Sequence, residues 1–164
     1  MNTDKERLEN AKWLFEITLD WIATADVKVG VAVAIDTAML GGLAAAYTAA
    51  DAAVRTPWSN VSVVAAVVGM VVAIFCAAMA AIPRMLGPVS SMIFFGRISQ
   101  RNESDYVAEY QKLSEPAFLE DLLTQVHRNA QIATAKHQWV RKSLIWSFYA
   151  AIPWLVAMFL LIRK

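Results

Sequence analysis

Six polar residues at three places in the chain have the types and spacing to hold an anionic, ring-bearing ligand. Asp26 and Lys28 stand two apart, Arg97 follows a Phe-Phe-Gly run, and Gln125, Asn129 and Lys136 continue from Asp121 at intervals of four, four and seven. Such intervals keep side chains on one stripe of a helix. The cations suit a phosphate, the amides suit the edge of a base, and Tyr106 or Trp21 is available to stack on a ring. The competing reading is a network of structural ion pairs, Asp26 with Lys136 for instance. Asp36 stands alone within an apolar stretch, so it is either a gate or pore-lining residue or a polar residue tolerated at a helix contact. His127 and His137 are ten apart with no third ligand nearby, which reads as packed or solvated histidines and no metal site. Cys76, the one cysteine, sits among alanines as a small apolar residue. There is no glycine-rich phosphate loop ending in Lys-Ser/Thr, no His-Glu-x-x-His, no paired cysteines and no Gly-x-Ser-x-Gly. We therefore expect no catalytic residue, no cofactor, and a protein that is not an enzyme.

The elements that must position these residues are set by composition. Of 164 residues, 58% are hydrophobic and 18% charged, against about 45–50% and roughly 25% in soluble domains. Residues 29–50, 61–83 and 144–162 contain one formally charged side chain among them, Asp36. Each is near the roughly 20 residues that cross about 30 Å of hydrocarbon. The fold class expected is an all-α membrane protein: three transmembrane helices with a small cytosolic helical layer formed by the N-terminal helix and the 84–143 segment. The organisation is then 1–28 as a cytosolic amphipathic helix, 29–83 as a transmembrane hairpin, 84–143 as a cytosolic helical segment and 144–164 as the third transmembrane helix. With 15 basic residues against 14 acidic, bulk charge argues for no nucleic-acid partner.

Topology follows from the basic residues. Arg84, Arg97 and Arg101 follow the second span and Arg128, Lys136, Arg141 and Lys142 precede the third, while the 51–60 connection offers only Arg55. The positive-inside rule places the N-terminus and the 84–143 segment in the cytoplasm and the C-terminus in the periplasm. Met1 to Thr24 lacks the pattern of a signal peptide, and a bacterial inner membrane is the expected location.

Within the spans, Gly30, Ala34, Ala38, Gly42, Ala46 and Ala50 form one row at i, i+4, and Ala65, Gly69, Ala73, Ala77 and Ala81 form another. Small residues let backbones approach closely in lipid, so the two rows are expected to pack as a hairpin or between copies, and a homo-oligomer is expected. Ile82-Pro83-Arg84-Met85-Leu86-Gly87-Pro88 breaks the chain where it leaves the membrane. A short helix over about 103–113, capped by Asn102, precedes a last helix beginning at Ser114-Glu115-Pro116 and meeting no breaker until Pro153.

Ala25-Asp26-Val27-Lys28-Val29-Gly30, Ser91-Met92-Ile93-Phe94-Phe95-Gly96-Arg97-Ile98, and Asp121-Leu122 with Gln125, Asn129, Ala133 and Lys136 together resemble the transmembrane effector family of the Pycsar antiphage systems. The resemblance covers essentially the whole chain. It implies a cyclase that senses phage and makes cyclic UMP or cyclic CMP as the ligand. It also implies an effector that answers by oligomerising or opening, impairing the inner membrane and stopping growth. The cyclic-nucleotide-binding residues it implies are Asp26, Lys28, Arg97, Gln125, Asn129 and Lys136, with the lipid bilayer and the cyclase product as partners. No segment resembles a β-rich cyclic-nucleotide-binding domain, so a nucleotide site would be built from helices, and Asp36 stands where an uncharged or amide residue is expected. The alternative is a constitutive helical scaffold or holin-like pore former, for which the small-residue rows suffice.

Overall fold

Hydroxyl residues followed by proline set where two of the helices begin. Thr56 accepts a hydrogen bond from the Ser59 backbone N–H at 3.3 Å, and Pro57 occupies the first turn, where its missing N–H costs nothing. Ser114 does the same at the head of the last helix, accepting from Ala117 N–H at 3.4 Å with Pro116 beside it. The computed structural model describes residues 4–84, 87, 88 and 90–163. Residues 1–3 of the N-terminal segment, Met85 and Leu86 of the proline-bounded break, Val89 and Lys164 lie outside the described residues.

The elements are α1 (Asp4–Ala49), a single 3-10 turn (Ala52–Val54), α2 (Pro57–Ala81), α3 (Phe95–Ile98), α4 (Glu103–Gln111) and α5 (Glu115–Ile162). The described residues contain no strand. Three helices, α1, α2 and α5, are long and apolar enough to cross a membrane. The N-terminal amphipathic helix and the first span are one continuous helix of 46 residues, and α5 has 48. At 1.5 Å per residue each is about 70 Å long, roughly twice the hydrocarbon thickness. Each long helix thus has an apolar stretch and a polar stretch. Pro153 lies inside α5 without ending it, a substitution that transmembrane helices tolerate better than soluble ones.

The chain divides into a polar unit, Met1–Thr24 with Pro83–Ala135, and an apolar unit, Ala25–Ile82 with Lys136–Lys164. In the apolar unit, Leu43, Ala66, Met70, Ala150, Ala157 and Leu161 form the main core, and Ala25, Ala80 and Val140 a second cluster. In the polar unit the buried side chains include Ala11, Thr18, Ser91, Met92, Leu122 and Gln125.

Burial along both long helices recurs every seven residues. On α5, Leu122, Asn129, Lys136, Ser143, Ala150 and Ala157 are all buried, and on α1 so are Ala11, Thr18, Ala25 and Ala32. A seven-residue period is the spacing of a coiled-coil seam. The seam includes the polar Asn129, Lys136 and Ser143.

Two expectations are refined. The α1 row is split, with Ala46 and Ala50 packed against the main core, and the α2 row finds a partner on α5. A Cβ built on Gly69 would lie 2.8 Å from Ala150 Cβ and 3.2 Å from Ala150 Cα, so the row on α2 closes against α5. On α1, Gly30, Ala34 and Ala38 face outward, and the buried side is carried by Ala32, Asp36 and Leu43. The physical reason is the seven-residue period, which selects a different stripe from the i, i+4 row. Asn102 does stand at the N-cap of α4, but its side chain makes no capping bond and donates instead to Asp105 at 3.3 Å.

Candidate functional site

In the polar unit the chemistry gathers on the Ser91–Phe94 strip. Ser91 is 1% exposed, and its hydroxyl oxygen accepts from the backbone N–H of Ile93 and of Phe94 at 3.2 and 3.0 Å. Those bonds turn the chain into α3. Gln125 Nε2 donates to the same oxygen at 2.9 Å, and Met92 N–H donates to Asp121 Oδ2 at 2.7 Å. Tyr106 closes the other side, its hydroxyl donating to the Met92 carbonyl at 3.0 Å. Arg101 contacts the Met92 sulfur and pairs with Glu109 at 3.1 Å. The Phe94 ring packs against Gly96, where a Cβ would come within 2.8 Å of it. Asp121 and Gln125 therefore hold the strip to α5. Asn129, one turn further, is 9% exposed, and its amide makes no hydrogen bond among the described residues. Arg97 donates to Gln100 at 3.2 Å on the exposed side of α3.

In the apolar unit Lys136 is paired with Asp26, the pair raised above as the structural reading. The lysine side chain is 8% exposed and the aspartate 50%, so one charge is buried and its partner faces outward. Lys28 is exposed and has no ion pair among the described residues. Asp36 is fully buried, and Ser147 Oγ donates to its Oδ2 at 2.9 Å while lying 3.1 Å from the Ser143 carbonyl. Trp154 Nε1 donates to the Met39 carbonyl at 2.9 Å.

Gln125 and Asn129 thus fall in the polar unit on one seam of α5, and Asp26, Lys28 and Lys136 in the apolar unit. His127 lies 3.0 Å from Gln131, and no group of three His, Cys, Asp or Glu side chains with metal-binding placement occurs among the described residues. Cys76 is buried.

A family model described as the Pycsar effector protein domain matches residues 10–163. The chain belongs to the Pycsar effector family. Searches among curated proteins and among solved structures gave no match. As a Pycsar effector the protein serves antiphage defence with cyclic nucleotide signalling, alongside a partner cyclase that makes the nucleotide. Its three apolar helices make it a membrane protein.

Sequence reasoning named Asp121, Gln125 and the strip around Arg97 in this Pycsar effector but missed Ser91 as their junction. The signal was present: a serine three residues before a helical turn is a helix-start pattern. It also missed Ser143 and Ser147, which follow Lys136 and Val140 at the seven-residue period.

Proposed function

We propose that this Pycsar effector binds a cyclic pyrimidine mononucleotide, cyclic UMP or cyclic CMP, and responds by impairing the inner membrane, arresting growth. The observation carrying this reading is α5 itself. One unbroken helix bears Gln125, Asn129 and Lys136 on its buried seam and continues into the third apolar stretch. Asn129 is 9% exposed and its amide makes no hydrogen bond among the described residues, so its donor and acceptor are open to a ligand that brings both. The candidate nucleotide contacts are, in the polar unit, Arg97 for a phosphate and Gln125 and Asn129 for a base edge, and, in the apolar unit, Lys28 and Lys136 for a phosphate with Asp26 beside them. The N-terminus and 84–143 segment are assigned to the cytoplasm, where the nucleotide is made, by the distribution of Lys and Arg.

The outward-facing row of Gly30, Ala34 and Ala38 supports association of copies in the bilayer. Asp36 is assigned to the gate.

The test is expression with and without nucleotide. A gated effector is harmless until cyclic UMP or cyclic CMP is supplied, then collapses the membrane potential. Depolarisation on expression alone would favour the constitutive pore former.

A further inference from the structure

Asp36 has no exposed surface, and its hydrogen-bond partner among the described residues is the Ser147 hydroxyl. Ser147 Oγ, 2.9 Å from Asp36 Oδ2 and 3.1 Å from the Ser143 carbonyl oxygen, draws the three residues to one place between α1 and α5. Each of two of these residues has a buried side-chain oxygen with no hydrogen-bond partner: Asp36 Oδ1 and Ser143 Oγ. Among the described residues no cation pairs with Asp36. The basic side chains next along α5, Arg141 and Lys142, are exposed, and Lys142 Nζ lies 4.2 Å from the centre of the Trp139 ring. An uncompensated carboxylate inside a membrane-spanning bundle is costly and calls for a counter-charge.

We propose that Asp36, Ser143 and Ser147 form a buried site for one small monovalent cation, with sodium as its probe. Charge selects the valence, because one carboxylate neutralises one monovalent ion, whereas a divalent ion would leave a net positive charge in hydrocarbon. Ligand chemistry selects the class, because carboxylate, hydroxyl and carbonyl oxygens suit hard cations and offer nothing to soft ones. A proton would also neutralise Asp36, but it would occupy one oxygen alone, whereas an ion would give Asp36 Oδ1 and Ser143 Oγ, both without a hydrogen-bond partner, a common ligand. A hard cation sits about 2.3–2.6 Å from each oxygen ligand. Since Asp36 is on α1 and both serines are on α5, the bound ion ties the first span to the third. This inference goes beyond the nucleotide reading and stands independently of it.

The experiment measures thermal unfolding of the full chain in nanodiscs of zwitterionic lipid, by tryptophan fluorescence, as sodium chloride replaces choline chloride at fixed pH and ionic strength. A ligand that binds only the folded state raises the unfolding midpoint in a saturable way. The wild type is expected to show that rise and Asp36→Asn to lose it. Ser143→Ala, which gives up no hydrogen bond within the protein and so retains the fold, should need at least about tenfold more sodium for half the effect. It keeps the test decisive should Asp36→Asn not fold. The proposal is overturned by a wild-type midpoint equal in sodium and choline, or by an unchanged half-saturating concentration in Ser143→Ala. It is also overturned if acidification raises the midpoint equally in both salts and sodium adds nothing, which would assign the site to a proton.

Discussion

Lys136 and Asp26, 110 positions apart in the chain, form an ion pair whose ammonium side chain is 8% exposed and whose carboxylate side chain is 50% exposed. The asymmetry sets what each charge does when its partner is lost. A phosphate that recruits Lys136 must compete with Asp26, so this pair is both a structural contact and a control on any anion site that uses it.

Removing the aspartate leaves a buried, uncompensated ammonium, and removing the lysine leaves a carboxylate that water can reach. We expect Asp26→Asn to cost about 1–3 kcal/mol, discounted from the fully buried case, and Lys136→Met less than about 1 kcal/mol. Thermal midpoints of both variants and of the double variant give the comparison. A larger loss in Lys136→Met would contradict the assignment of the buried charge.

Gly69 is expected to act on folding within one protomer. Its close approach to Ala150 means that Gly69→Ala overpacks the α2–α5 contact, at about 1–3 kcal/mol. Ala150→Gly in the same chain should return part of that stability, because it vacates the clashing Cβ. Unfolding in detergent is the measurement, and a double variant no more stable than Gly69→Ala would refute the contact.

Ser91→Ala removes one oxygen that accepts from Gln125 and from two backbone N–H groups. Leaving buried donors unpaired costs about 1–3 kcal/mol. The loss should be local, so hydrogen exchange should accelerate at Ile93 and Phe94 while amides in the apolar core of α2 stay protected.

Lys28 separates binding from stability. It is exposed and unpaired among the described residues, so Lys28→Ala should leave the thermal midpoint unchanged and weaken cyclic-nucleotide binding by about 10- to 150-fold, the loss of one charge-assisted hydrogen bond. Calorimetry against cyclic UMP and cyclic CMP reads it directly. Wild-type affinity would remove Lys28 from the site.

Helical continuity along α5 predicts how a signal travels. Glycines replacing the exposed Arg141 and Lys142 lower helix propensity by about 1 kcal/mol each without touching the buried seam. Nucleotide binding should persist and nucleotide-induced depolarisation should fail. Normal depolarisation would show that coupling takes another route.

Hydropathy alone determined the three apolar helices, their order and the one charge among them, Asp36, because a run of about 20 apolar residues has no other stable place. The helix starts at Thr56-Pro57 and Ser114-Glu115-Pro116 were equally legible, being local backbone chemistry. Tertiary structure decided which stripe of each helix turned inward. Glycine and alanine rows at i, i+4 looked like the contact surface, yet Gly30, Ala34 and Ala38 of the α1 row are exposed, and Gly69 of the α2 row meets Ala150 on α5. A side chain's burial depends on the helix opposite it, and that partner lies far away in sequence. The same is true of Asp26 with Lys136, Ser91 with Gln125 and Asp36 with Ser147. Residue type announced that each of these polar groups needed a partner, and only packing named it.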